Sequence, residues 1–162
     1  MDAPLLDGIH HVKIPVSDLD RSREWYSSRL GYQVDAVFVE DGREMGLVLS
    51  HPNGGPDIAL RLHPERSEGI GDFDFFAIGV PDQAAMEDLA ARLTDLGEEH
   101  EGVQFASIGW VLPMLHDPDG HEVRFYTTAS HTRPPRGRAI RIEGARETAQ
   151  RRQAELETQR PL

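Results

Sequence analysis

An internal repeat constrains this chain more than any other feature of its sequence. Val16-Ser17-Asp18 returns 64 residues later as Val80-Pro81-Asp82, and Leu30-Gly31 returns as Leu96-Gly97. The hydropathy pattern between these landmarks repeats as well. Residues 9–16 alternate like a strand, with Val12, Ile14 and Val16 on one face and His11, Lys13 and Pro15 on the other. Ser17 or Asp18 then caps a helix whose apolar positions are Leu19, Trp25, Tyr26 and Leu30, and Gly31 ends it. Residues 33–39, 44–49 and 57–62 read as strands, separated by the Asp41-Gly42 turn and the loop 52–56. The second copy predicts a strand over 72–80 and a helix over 83–96 with Met86, Leu89, Leu93 and Leu96 on one face. Strands follow over 103–107, 110–116 and 122–127, the last after the turn Asp117-Pro118-Asp119-Gly120. Two β-α-β-β-β units result. Neither has the area to bury its own sheet face, so the two must share a core, in an α+β fold.

Composition sets the outer limits. The 162 residues suit one domain, taken here as 1–129 with modules at about 7–65 and 70–129. The remainder, 130–162, is an Arg-rich C-terminal extension. Its stretch 144–159 has helix-forming composition but few apolar residues, so it is either disordered or a docked helix. The extension carries 8 bases and 4 acids, whereas residues 1–129 carry 9 bases and 24 acids. A body this acidic repels phosphate backbones, which argues against nucleic acid as a partner. No window is apolar for long enough to span a membrane, and the first residues do not read as a secretory signal. The absence of cysteine removes disulfides, thiolate metal sites and a thiol nucleophile, and the expected compartment is the cytoplasm.

The opening Gly8-Ile9-His10-His11-Val12, the run from Val16 to Ser22, Trp25-Tyr26 and Leu30-Gly31-Tyr32 resemble the start of the glyoxalase/bleomycin-resistance/extradiol-dioxygenase superfamily, also called the vicinal oxygen chelate fold. Asp117-Pro118-Asp119-Gly120-His121 resembles its closing turn. The resemblance covers roughly residues 7–129. It implies that the two modules form a curved mixed sheet around a cleft, with helices outside and the tail appended. It also implies a homodimer. Metal enzymes of the family place a His in the first strand, a His in the first strand of the second module and a Glu in the last strand. The matching positions here are His11, Phe75 and Arg124. Phenylalanine cannot ligate a metal, and arginine has no acceptor. The expectation is therefore no cofactor. A relocated divalent metal, drawing on His11, His116, Glu122 or His63, is the less favoured possibility.

Strand parity lists the side chains that face such a cleft. They are His11 and Lys13; Ala59, Arg61 and His63; Phe75, Ala77 and Gly79; Leu112, Met114 and His116; and Glu122, Arg124 and Tyr126. Of these, His11, Lys13, Arg61, Phe75, Met114, His116, Glu122, Arg124 and Tyr126 are the candidate ligand-binding residues. His11 and Arg124 are the candidates for any catalytic role. Each has an ordinary alternative: a core-bonded His11, a snorkelling Lys13, a structural Arg124–Glu122 pair, and Phe75 and Met114 as plain core.

Three functions fit. The first is a metal-free protein of the bleomycin-resistance type that sequesters a small aromatic ligand. The second is a lyase, isomerase or ring-cleaving oxygenase with a relocated metal or a His/Arg/Lys acid–base site. The third is an interaction protein that docks a partner through its basic tail. The acidic body favours a cationic ligand, whereas Lys13 and Arg124 favour an anionic one, so the sequence leaves the ligand's charge open.

Overall fold

The computed structural model describes residues 4–5, 8–106 and 109–129. The extension 130–162, with its disordered-or-docked helix and partner-docking reading, lies outside the described residues, as does Ser107. The first module runs β1 (His11–Val16), α1 (Leu19–Leu30), β2 (Gln33–Glu40), β3 (Arg43–Ser50) and β4 (Asp57–Leu62). A short helix, α2 (Pro64–Ile70), links it to β5 (Ala77–Val80), α3 (Gln83–Asp95), β6 (Gln104–Ala106), β7 (Gly109–His116) and β8 (Glu122–Thr127). The fold is α+β. Its strands form two four-stranded mixed sheets, ordered β1-β4-β3-β2 and β5-β8-β7-β6, and neither closes into a barrel. In each sheet the first strand of the module pairs in parallel with the last, and the other pairings are antiparallel. No described helix is long and apolar enough to cross a membrane.

Local chemistry explains the boundaries. Asp18, not Ser17, caps α1, its carboxylate accepting the Arg21 N–H at 2.9 Å. Gly31 ends that helix with φ 82°, a conformation that a side chain would strain. Asp82 plays the first role again for α3, accepting the Ala85 N–H. One side of each sheet packs on the helices in a shared core. It contains Ile14, Val16, Trp25, Tyr26, Leu47, Leu60, Met86, Leu93, Leu112, Leu115 and Phe125. Burying each of the large side chains contributes roughly 1.5–3 kcal/mol. The other side of each sheet, its open face, carries the alternate residues.

Three expectations change. The first is helix α2, which the hydropathy pattern did not announce. Its signal is local: His63 is the N-cap, with Pro64 in the first turn. His63 is therefore spent on a helix terminus and is not an open-face residue. The second is the strand expected over 72–80, which begins only at Ala77. With Ala77 opposite Arg124, Phe75 would stand opposite Glu122, and residues before it would run past the start of β8 into the turn. Residues 72–74 would have no strand opposite them, and although 75 and 76 reach the start of β8 the ladder forms only from Ala77, so Phe75 lies outside any strand. The third is Leu112, expected on the open face but fully buried in the core. Leu112 pairs with Phe125 and Leu115 with Val123, so Pro113 and Met114 together oppose Arg124. This is a β-bulge, with Met114 at φ 68°. Pro113 has no N–H for the ladder, and the extra residue inverts the parity on its N-terminal side.

Candidate functional site

The candidate residues fall into two groups, one on each open face. On the first sheet, His11 and Lys13 are exposed on β1. His11 is not bonded in the core; its Nδ1 lies 3.0 Å from Nδ1 of His10. Lys13 has no hydrogen bond or ion pair among the described residues. Arg61, on β4, forks onto Glu40 of β2 with contacts of 2.5 and 2.8 Å. This pair holds the Glu40 carboxyl below its usual range, but in solvent it contributes little to stability. Ala59, beside Lys13 in the register, is buried.

The second sheet brings its candidates into a connected cluster. Glu122 and Arg124 are two apart on β8 and share the open face. The Arg124 guanidinium makes three contacts of 2.9–3.0 Å with Glu122. Its remaining terminal nitrogen lies 3.0 Å from Asp74. The bulge turns the Met114 N–H toward Glu122 Oε1, at 3.0 Å. Glu122 is therefore almost wholly buried yet amply partnered, as a carboxylate removed from water must be. Burial opposes the charge on Arg124. The hydrogen bonds and charge of Glu122, then the charge of Asp74, outweigh it and hold the guanidinium above its ordinary range. His116, opposite Glu122 in the register, places Nε2 2.8 Å from Asp72 Oδ1. Tyr126 is the next open-face residue along β8 and adds to the stabilisation of Arg124. Phe75 packs edge-on against Phe73 at 5.4 Å and His121 at 5.7 Å. Both phenylalanines are substantially exposed.

Among the described residues, no hydrogen bond, ion pair or ring contact joins His11, Lys13 or Arg61 to this cluster. Asp72 and Asp74 were missed by the strand-parity reading. Their signal was present: two acids alternate with Phe73 and Phe75 ahead of a strand whose neighbour carries Arg124.

The turn Asp117–His121 lies next to this cluster and joins the modules. Asp117 is buried and accepts the Tyr26 O–H at 3.1 Å and the N–H groups of Asp119 and His121. Burial pushes its carboxyl up, and His121 and these donors act against that. Burial, followed by Asp117, pushes the Tyr26 hydroxyl well up. Asp119 accepts the Ser17 N–H at 3.1 Å and pairs with Arg21. Burial raises its carboxyl, but the Ser17 contacts, with Ser67 and Arg21, bring it below the usual range. The His121 Nε2–H donates to the Pro15 carbonyl at 2.9 Å, which fixes the proton on that nitrogen. These contacts identify the turn as a clamp between modules.

The three positions implied for a metal do not fit one. Phe75 has no donor atom. Arg124 is itself a cation, already held by two carboxylates. Among the described residues, no three His, Asp or Glu side chains form a group able to hold a metal ion. The cluster can instead offer hydrogen-bond donors, balanced charge and an aromatic wall to a small molecule.

Comparisons with known proteins agree with this architecture. No curated protein matches the sequence. A glyoxylase/bleomycin resistance protein/dioxygenase domain from Frankia sp. EAN1pec is 25% identical with a TM-score of 0.61, over 76% of this chain and 98% of that one. TnmS3, an antibiotic binding protein from Streptomyces sp. CB03234, is 17% identical with a TM-score of 0.63, over 77% and 98%. A lactoylglutathione lyase from Agrobacterium tumefaciens is 18% identical with a TM-score of 0.60, over 76% and 95%. The last two show the shared fold alone. The family model for the Glyoxalase/Bleomycin resistance protein/Dioxygenase superfamily matches residues 8–125. Repeat, paired sheets and family match together place the chain in that superfamily, to which it belongs.

Proposed function

We propose that this chain is a small-molecule-binding protein of the bleomycin-resistance type. It holds a ligand with an aromatic or other apolar body on the open face of the second sheet, without the metal used by the family's enzymes. The observation that carries this reading is Arg124. It stands where a metal-binding carboxylate is implied, and its charge is met by Glu122 and Asp74. Both Glu122 oxygens are engaged, so neither is free to act as a general base. What remains is recognition chemistry: polar groups set in position beside the exposed rings of Phe73 and Phe75. The expected elemental analysis of the purified protein is substoichiometric Mn, Fe, Ni and Zn. One equivalent of metal, lost in His11→Ala, would favour the enzyme reading. A thermal-shift screen of small aromatic compounds tests binding directly, because a ligand at a hundredfold excess over Kd stabilises by about 2.7 kcal/mol.

We also infer a homodimer. Strand β2 is an edge strand with Val34, Val37, Phe38 and Val39 exposed. Such an edge needs covering in solution. Light scattering at micromolar concentration should give about twice the 18.1 kDa chain mass, and a monomer mass would contradict it.

A further inference from the structure

Two open-face groups of the second sheet, His116 and Arg124, are both held by one short stretch of chain. Asp72 takes His116 and Asp74 takes Arg124. Between and after them, Phe73 and Phe75 present exposed rings in edge contact. The stretch is free of secondary structure. It leaves α2 through Gly71, at φ 65°, and ends where β5 begins. Its end is anchored by Phe76, packed against the core, and ahead of that it is held by these two pairs and by Phe75 on His121.

The pairs are of different kinds. Glu122 is the fixed counter-ion of Arg124: buried on the same strand, with the Met114 N–H as a further donor. Asp72 and Asp74 come from outside the sheet, and their side chains are 55% and 34% exposed. Both contacts are partly open to water and so weaker and more screened than the buried one to Glu122, and another anion can replace them.

We propose that residues 71–76 are a strap whose carboxylates occupy the place of an anionic ligand. The site then takes a small molecule with a carboxylate on an apolar body, which enters by displacing Asp74 from Arg124 and Asp72 from His116. This deepens the binding reading above and rests on it. Exchanging one carboxylate for another leaves Arg124 neutralised, so binding strands no charge in the half-buried site. The guanidinium fork suits a carboxylate geometrically. Phe73 and Phe75 travel with the strap and supply the apolar wall. A cationic ligand would fare worse, because it would meet carboxylates already engaged and a guanidinium beside them.

The test uses two probes of one shape and opposite charge, benzoate and benzylammonium, titrated into the full chain and followed by amide and Arg side-chain NMR shifts. Benzoate should move the Arg124 Nε–H, the His116 ring and the amides of 71–76. Asp72→Asn/Asp74→Asn should bind benzoate about fivefold more tightly, the weight of an exposed pair. Asp74→Asn alone should show part of that gain. Asp72 is exposed and Asp74 half-buried, and neither belongs to the core, so Asn at either position should leave the fold intact, which far-UV circular dichroism of the double variant checks. If benzoate moves the open face but its affinity is unchanged in the double variant, the strap is overturned while the binding reading stands. If benzylammonium binds more tightly than benzoate and loses affinity in the double variant, the ligand class is overturned. If neither probe moves any open-face residue, both this proposal and the reading it rests on are refuted.

Discussion

The same turn occurs twice in this protein, and its two copies do different work. In the first module it is His51-Pro52-Asn53-Gly54, and 66 residues later it is Asp117-Pro118-Asp119-Gly120. The backbone is built alike in both. The fourth residue's N–H donates to the first residue's carbonyl at 2.9 Å, Gly54 to His51 and Gly120 to Asp117. The third residue's N–H donates to the first residue's side chain, Asn53 to His51 Nδ1 at 3.2 Å and Asp119 to Asp117 Oδ1 at 3.0 Å. The partners beyond the turn differ. His51 reaches the Leu30 carbonyl and the Tyr32 ring within its own module. Asp117, Asp119 and His121 cross to Tyr26, Ser17 and Pro15 of the other. The repeat specifies a turn. Side chains whose hydrogen bonds reach across to the other module convert one copy into a clamp.

The largest expected effect comes from breaking the clamp at its most buried point. Asp117→Ala leaves the Tyr26 hydroxyl and two backbone N–H groups without an acceptor, and should cost about 3 kcal/mol in urea unfolding. A loss below about 1 kcal/mol would mean that the junction is not held there.

A smaller effect is expected at Asp119, where Asn keeps the shape and removes the charge. Asp119→Asn should cost about 1–2 kcal/mol at neutral pH, through the charge-assisted bonds from Ser17 and Arg21. Its pH dependence has a definite sign. The folded carboxyl lies below the ordinary Asp value of 3.8. Its contribution is therefore present above that value and is lost as pH falls through the depressed folded value. Stability of the wild type relative to Asp119→Asn should shrink in that acid window. A constant difference would assign the cost to geometry instead of charge.

The smallest effect belongs to the unclamped copy. His51→Ala removes one half-buried bond to the Leu30 carbonyl and should cost about 1 kcal/mol or less. If it matched Asp117→Ala, the two turns would be equivalent and the contrast drawn between them would collapse.

Much of this architecture was legible because it depends on local periodicity. A cap at Ser17 or Asp18, Gly31 as a stop and the alternation in β1, β4 and β8 all follow from neighbours in sequence. The pairing of Glu122 with Arg124 was legible for the same reason, since residues two apart on one strand share a face. Strand parity failed where one residue changed the count. Pro113 started a bulge, and Leu112 moved into the core. It failed again at 72–76, where a strand-like pattern runs ahead of the ladder that starts at Ala77. Helix α2 escaped notice because at seven residues it is too short to show a periodicity.

The sequence by itself determined the two-module repeat, the element order within each module, and the loss of two of the three residues implied for a metal. These depend on residue identity and spacing, which no packing arrangement alters. Only the tertiary structure decided that Asp72 and Asp74 answer His116 and Arg124, that Met114 turns its N–H to Glu122, and that the second turn clamps the first module. Each depends on groups far apart in the chain meeting within about 3 Å. A hydrogen bond or ion pair at that distance is set by register, bulge and packing together, and no local pattern encodes their sum.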